Sequence, residues 1–314
     1  MKVLIAYDGS ACSDVALEDL RRAGLPREVE ARIYLVVQET TECALYPVEA
    51  LSTPMVWYPM RQPDALVAPA KLIEQMRHLG GNAADKLRHQ FPAWTVEIET
   101  GYGVPGPLIV DRVKSWKADL VVMGSHGRQG LGRMMLGSVS QHVVNRASCA
   151  VRIAHAPVRE RPGPIRLLVA LDTSPDAAHA LRAVASRFWP AGTEARVIGV
   201  VNPDVPEQAE AAHHPDEFRS KLAHILGEAA SDLRQVGLVA SHQVLCGEPS
   251  LVILEEAANC KADCIFLGAR GVGAIHRLVL GSVSSEVAAH AHCSVEVVRR
   301  ARLLSVRRVA DGKP

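Results

Sequence analysis

The sequence predicts an α/β fold built twice, each copy a parallel sheet with helices on both faces. Three observations predict it. Short apolar runs alternate with stretches of helical spacing along most of the chain, the pattern of strands joined by crossover helices. A figure of Gly, two residues, Gly, nine residues, Gly-Ser occurs as Gly124, Gly127, Gly137 and Ser138, and returns 144 residues later as Gly268, Gly271, Gly281 and Ser282. The length, 314 residues, suits about two domains.

Residues 2–7 form a short apolar run ending in Asp8-Gly9-Ser10, a buried strand and its exit turn. Residues 14–23 follow with Val15, Leu17 and Leu20 at helical spacing, and residues 30–37, ending in β-branched side chains, are the second strand. Residues 40–69 break the rhythm, because Pro47, Pro54, Pro59, Pro63 and Pro69 make them an irregular excursion. Residues 71–90 are a helix that directs Leu72, Ile73, Met76, Leu79 and Leu87 at the core, and 95–100 are the third strand. Gly103-Val104-Pro105 opens a helix running to 116, with proline in the tolerated first turn. Strand 118–123, the glycine figure, helix 139–147 and strand 150–154 close the copy.

The second copy repeats this order. Its first two strands are displaced by 164, as from Asp8 to Asp172, and its later elements by 144, as from Pro105 to Pro249. The first copy is therefore 20 residues longer, and the 40–69 excursion accounts for most of the excess. The expected division is 1–156 for the first domain, 157–164 for a proline-rich linker, 165–300 for the second domain and 301–314 for a basic tail.

Composition narrows the function. Hydrophobic residues at 48% and charged residues at 22% are an ordinary globular balance, while a formal net charge of +1 gives no footprint for nucleic acid or an anionic membrane. Aromatic residues, at 4%, are too few for base-stacking platforms. The opening apolar run is too short for a signal peptide, and no run of about 18 apolar residues exists to span a membrane. Seven scattered cysteines suit a reducing cytoplasm better than a disulfide framework. Cys149 and Cys293, at matched positions, read as small packing residues, and no His or Cys group has the spacing of a metal site. There is no Gly-Lys-Ser/Thr phosphate loop and no Gly-x-Ser-x-Gly elbow, so neither a metal ligand nor a catalytic residue is assigned.

What remains is the repeated glycine figure. Glycines behind a strand let a ligand approach the backbone, and a helix start offers unpaired N–H groups to an anion. Each copy therefore reads as a phosphate-cradling turn, with a purely structural tight turn as the alternative. Further residues carry a resemblance. A strand ending in Asp8 or Asp172, the Gly-x-Pro helix starts, and the runs Val121-Val122-Met123-Gly124-Ser125-His126-Gly127 and Leu136-Gly137-Ser138-Val139 together resemble the universal stress protein family. The resemblance covers nearly the whole chain as two tandem copies.

That resemblance implies, in each copy, an open, mostly parallel five-stranded sheet of the adenine nucleotide alpha hydrolase-like, Rossmann-like kind. The glycine motif marks the family's ATP-binding branch, so the implied ligand is ATP, with or without Mg2+. Asp8 and Val37 would hold the nucleoside, and Gly124, Ser125, His126, Gly127, Gly137, Ser138, Val139 and Ser140 would surround ribose and phosphates. In the second copy the corresponding residues are Asp172 and Val201, with Gly268, Ala269, Arg270, Gly271, Gly281, Ser282, Val283 and Ser284. The chemistry agrees: a carboxylate accepts from ribose hydroxyls or an adenine amino group, and strand-end N–H and C=O groups, taken as free, read a base edge. All these residues fall at carboxyl ends of strands, where such sheets bind ligands. Capping the next helix is the alternative role for Asp8 and Asp172.

Three functions follow. The first is a nucleotide-dependent stress-response or signalling module. The second is a slow ATP hydrolase or nucleotidyl-transfer enzyme, ranked behind because no general base or water-positioning carboxylate accompanies the glycine turn. The third is an interaction module without ligand. The second site is expected to bind more weakly, since it has Thr173 for Gly9, Ala269 for Ser125 and Val272 for Arg128, with Arg270 in place of His126 as a partial offset. The strands at 150–154 and 294–298 are expected at sheet edges, pairing antiparallel within the chain as a pseudo-dimer. Pairing of whole chains as a homodimer is left open.

Overall fold

The computed structural model describes residues 1–38, 67–126, 136–155, 163–202, 215–271 and 280–299. The tail, most of the linker and most of the 40–69 excursion lie outside the described residues, as do Gly127, Arg128, Arg133, Val272 and Arg277. The chain divides into two compact units, residues 1–147 with 152–161, and residues 148–151 with 162–314.

The first repeat runs β1 (Lys2–Ala6), α1 (Ala11–Asp19), β2 (Glu30–Val37), α2 (Val67–Gln90), β3 (Thr95–Tyr102), α3 (Pro105–Trp116), β4 (Leu120–Gly124), α4 (Ser138–Arg146) and β5 (Ala150–Ala154), with a 3₁₀ turn at Leu20–Arg22 after α1. Its strands lie in the order β3-β2-β1-β4-β5, and β1 runs parallel to β2 and β4, as β2 does to β3. The second repeat runs β6 (Arg166–Ala170), α5 (Pro175–Ala185), β7 (Glu194–Val201), α6 (Pro215–Gln235), β8 (Val239–Cys246), α7 (Pro249–Asn259), β9 (Cys264–Gly268), α8 (Ser282–His290) and β10 (Ser294–Val298). Its order is β8-β7-β6-β9-β10, with the pairs β6–β7, β7–β8, β6–β9 and β9–β10 parallel. The α/β fold with mostly parallel sheets is thus the one the sequence predicts.

Strand alternation separates the two faces of each sheet. In the first repeat Leu35 and Ile98 point at α2, where an added Cβ on Gly80 would lie 2.8 Å from each, so a larger residue there would lift the helix off the sheet. Arg32, Glu97 and Glu99 point the other way, toward α3, where Arg112 meets Glu99 at 2.5 Å and the Arg32 guanidinium lies 4.5 Å over the Trp116 ring. In the second repeat Gly199 faces Leu222 of α6, while Arg196 reaches Glu256 of α7 at 2.6 Å. Between these layers the central strands are buried on both sides, with Val3, Leu4, Ile5, Val121 and Val122 in one unit and Leu167, Leu168, Val169, Ile265 and Phe266 in the other.

The central pair of each sheet is fixed at its start as well. The Lys2 N–H donates to Asp119 at 2.7 Å, and the Arg166 N–H donates to Asp263 at 2.9 Å. Two expectations need correction. Helix α1 begins at Ala11, three residues early, because Ser10 caps it. Leu72 does not face the core; the buried side of α2 is made by Gly80, Ala83, Ala84 and Leu87. No helix among the described residues is long and apolar enough to cross a membrane.

Candidate functional site

In both repeats the strand order reverses at the central pair, between β1 and β4 and between β6 and β9. The carboxyl ends of these strands are therefore the crevice where open α/β sheets bind ligands. The turn after β1 is held by Asp8, whose Oδ1 accepts the Ser10 N–H at 3.0 Å, while Gly9 takes the left-handed φ of +76°. Ser10 then caps α1, its side chain accepting the Ser13 N–H at 3.2 Å. The second unit repeats this with Asp172 accepting from the Ser174 N–H at 2.9 Å and Ser174 capping α5 through the Ala177 N–H at 3.2 Å. The helix-capping alternative is thus corrected: the serines cap, and the aspartates shape the turn ahead of them. Thr173, at the place of Gly9, does not take a left-handed φ.

The first glycine of each motif serves packing. A Cβ on Gly124 would lie 2.5 Å from the Cys12 carbonyl oxygen, and one on Gly268 would lie 2.7 Å from the Ala177 nitrogen. These glycines let the start of α1 or α5 cross directly over the end of β4 or β9. The next residue is frame too. Ser125 is buried, its N–H donating to the Ala154 carbonyl at 3.0 Å and its carbonyl accepting the Gly137 N–H at 2.8 Å. Ala269 makes the equivalent bonds to Val298 and Gly281, both at 2.8 Å. The Ser125 hydroxyl lies 3.1 Å from His126 Nδ1. Ser140 and Ser284 donate their hydroxyls to the carbonyls of Gly124 and Gly268, at 2.8 and 2.7 Å. Both are buried, so each clamps a helix start to a strand end and lies beneath the crevice.

The second glycine pair behaves differently. Gly137 and Gly281 are the N-caps of α4 and α8, with φ/ψ of −60°/152° and −67°/155°, conformations open to any residue. No side chain caps either helix among the described residues. Among the described residues, a Cβ on Gly281 would meet nothing closer than 3.4 Å, an ordinary contact. Neither backbone strain nor packing against the described residues therefore demands glycine at 281. Behind it stand the exposed Ser282 and the half-buried Val283, as Ser138 and Val139 stand behind Gly137. Asp172 Oδ2 would lie 2.8 Å from a Cβ on Gly271, which brings the turn aspartate against the glycine motif.

Other assigned residues are placed less simply. Val37 and Val201 are buried, and their carbonyls accept the N–H groups of Gly103 at 2.9 Å and Gly247 at 3.1 Å. The strand-end carbonyls taken as free are therefore engaged by the neighbouring strand's exit. Arg270 does not extend freely over the turn: its Nε and terminal nitrogen hold the Asp176 carboxylate at 2.9 and 3.3 Å. The sequence reading missed Asp176 and both capping serines. Comparing the two copies would have flagged Asp176, since Cys12 and His126 in one stand where Asp176 and Arg270 stand in the other. Among the described residues no three His, Cys, Asp or Glu side chains group closely enough to hold a metal.

The family model for the universal stress protein family matches residues 1–155 and 165–299. A universal stress protein of Methanocaldococcus jannaschii is 33% identical over 162 residues, which cover 51% of this chain and 84% of the relative. A universal stress protein of Mycobacterium tuberculosis is 26% identical over 301 residues, covering 95% of this chain and 97% of the relative. Among solved structures, a universal stress protein of Archaeoglobus fulgidus matches 95% of this chain and 98% of its own with a TM-score of 0.64 at 22% identity, a likeness of fold. With the motif present in both halves and the family model spanning both, the chain belongs to the universal stress protein family.

Proposed function

We propose that this chain is an ATP-binding universal stress protein in which bound nucleotide sets conformation or partner choice. The observation that carries the reading is Gly281. Among the described residues nothing caps this helix start or crowds a Cβ on Gly281, and its backbone conformation is ordinary, so they give no reason for glycine there. A ligand lying across the helix start gives one: a side chain would occupy the space of a phosphate, whose charge the free first-turn N–H groups and the helix dipole favour. Gly137 has the same conformation at the same place in the first repeat. Asp8 and Asp172, which hold the turns ahead of α1 and α5, are the carboxylates that would meet a ribose, and any Mg2+ would arrive with the phosphates. The residues present thus fit the nucleotide on its phosphate side, and the valine backbones fit it less simply on the base side.

The test begins with acid extraction and chromatography of the purified protein, followed by calorimetric titration of wild type, Gly137→Val and Gly281→Val with ATP. Each variant is expected to stay folded and lose one site. Unchanged affinity in both folded variants removes the assignment. Phosphate release at several turnovers per minute favours the hydrolase reading instead. Pairing of Ala150–Ala154 with Ser294–Val298 is a separate inference made from the sequence, tested by the mass of residues 1–156 in solution; a stable monomer counts against it. A cytoplasmic setting is likewise inferred from cysteine usage alone.

A further inference from the structure

The two glycine turns differ in a charged feature that lies within the described residues. In the second unit the Arg270 guanidinium is held bidentately by Asp176, whose side chain is only 6% exposed, while Arg270 itself is 23% exposed. The Arg270 carbonyl accepts the Ser174 hydroxyl at 3.0 Å, so turn and helix α5 are joined through both backbone and side chain. This residue borders the ligand crevice, since a Cβ on Gly281 would lie 3.6 Å from the Arg270 Cα. Arg299 belongs to the same cluster. Burial first, then the charge of Arg270, lowers its pKa, and Asp176 counteracts this. Asp176 thus bears on two arginines, on Arg270 by direct contact and on Arg299 by charge.

The first unit lacks the arrangement. Cys12 occupies the place of Asp176, and His126 and His155 occupy the places of Arg270 and Arg299. The acid in the first turn of α1, Asp14, is turned away toward α2: it accepts from the Tyr7 hydroxyl and from Lys86, both at 3.0 Å. A guanidinium offers carboxylate and phosphate the same planar fork of donors, so one fork does not serve both fully. A buried carboxylate beside incoming phosphates also repels them.

We propose that Asp176 is a built-in competitor at the second site, holding the arginine that a ligand's phosphate would otherwise take. Phosphate binding there is an exchange of partners, and the first site binds without one. The proposal rests on the nucleotide reading for its ligand, but only on anion chemistry for its mechanism. A strut with no bearing on binding is the competing account, and the two part over what happens when the carboxylate is neutralised.

The experiment uses the full chain carrying Gly137→Val to silence the first site, titrated with ATP and separately with inorganic tripolyphosphate. Asp176→Asn is expected to tighten tripolyphosphate at the second site about tenfold or more, and Arg270→Ala added to it is expected to abolish the gain. Unchanged or weaker binding by folded Asp176→Asn overturns the proposal. Should that variant not fold, the reciprocal transplant decides. Cys12→Asp with His126→Arg, in a chain whose second site is silenced by Gly281→Val, is expected to bind tripolyphosphate about tenfold more weakly than His126→Arg alone. Equal affinities overturn the proposal there. A tripolyphosphate gain without any ATP binding upholds the competitor and removes the nucleotide reading. ATP binding at the first site of the otherwise unaltered chain, with no gain from Asp176→Asn, does the reverse.

Discussion

Gly268 and Gly281 belong to one motif but answer to different demands, and substitution separates them. Alanine at 268 drives a methyl group to 2.7 Å from the Ala177 backbone, which cannot yield without moving α5. Gly268→Ala is expected to cost about 2 kcal/mol or more in urea denaturation. Gly281→Ala meets only ordinary contacts among the described residues and is expected to stay within about 1 kcal/mol of wild type, the scale of a changed N-cap. Its effect should fall on ATP affinity at the second site, read by calorimetry. Asp8 is the other residue with a separable role. Asp8→Ala removes a turn acceptor and the carboxylate proposed to meet the nucleoside, and should weaken ATP binding by about 1–3 kcal/mol. Loss of stability with unchanged affinity would leave Asp8 a turn former only.

At the scale of elements, helix starts are where the two copies were tuned separately. Helix α3 starts after Val104 with no side-chain cap, whereas α7 is capped by Glu248, which accepts the Leu251 N–H at 2.8 Å and the Ser250 hydroxyl at 2.6 Å. Burial pushes the Glu248 carboxyl up, but hydrogen bonds from the Ser250 hydroxyl and the Leu251 and Ser250 N–H groups outweigh it and hold the pKa below the usual value. A lowered folded pKa means that the cap stabilises above the unfolded range, about 4.3, and is lost as pH falls through the folded value. The Tm gap between wild type and Glu248→Gln should therefore be full near neutral pH and shrink as pH falls below the unfolded carboxyl range, about 4.3. Much of this level was legible in advance. β2 falls at 30–37, where the run ends in β-branched side chains, and the glycine motif announced itself by repetition. The start of α1 was set late because Ser10 reads equally as turn or cap. The buried side of α2 was misread because Gly80, Ala83 and Ala84 carry almost no hydrophobic signal, while exposed Leu72 does. Asp176 and Arg270, 94 positions apart, are joined by no local pattern.

Across the whole molecule the duplication has kept positions and exchanged charges. On β5, Arg152 is fully buried and holds Asp19 at 2.5 Å; at the matched position of β10, Glu296 is fully buried and held by Arg187. Each of these ion pairs is buried, so Arg152→Met or Arg187→Met should destabilise its own unit by about 3–5 kcal/mol in thermal or urea melts. The two proposed ATP sites should differ as well: titrated side by side, Gly281→Val is expected to leave the tighter site and Gly137→Val the weaker. The central strand pairing has a further consequence, which concerns synthesis. Lys2 bonds to Asp119, 117 positions later, and Arg166 to Asp263, 97 positions later. A ribosome that has completed β3 has therefore made only one of the two neighbours that β1 needs. Each half must wait, its first strand half-covered, until nearly all of that half has been translated. In chains stalled at successive lengths, protease resistance of the first half should rise only once residue 124 has cleared the exit tunnel, and a second rise should follow residue 268.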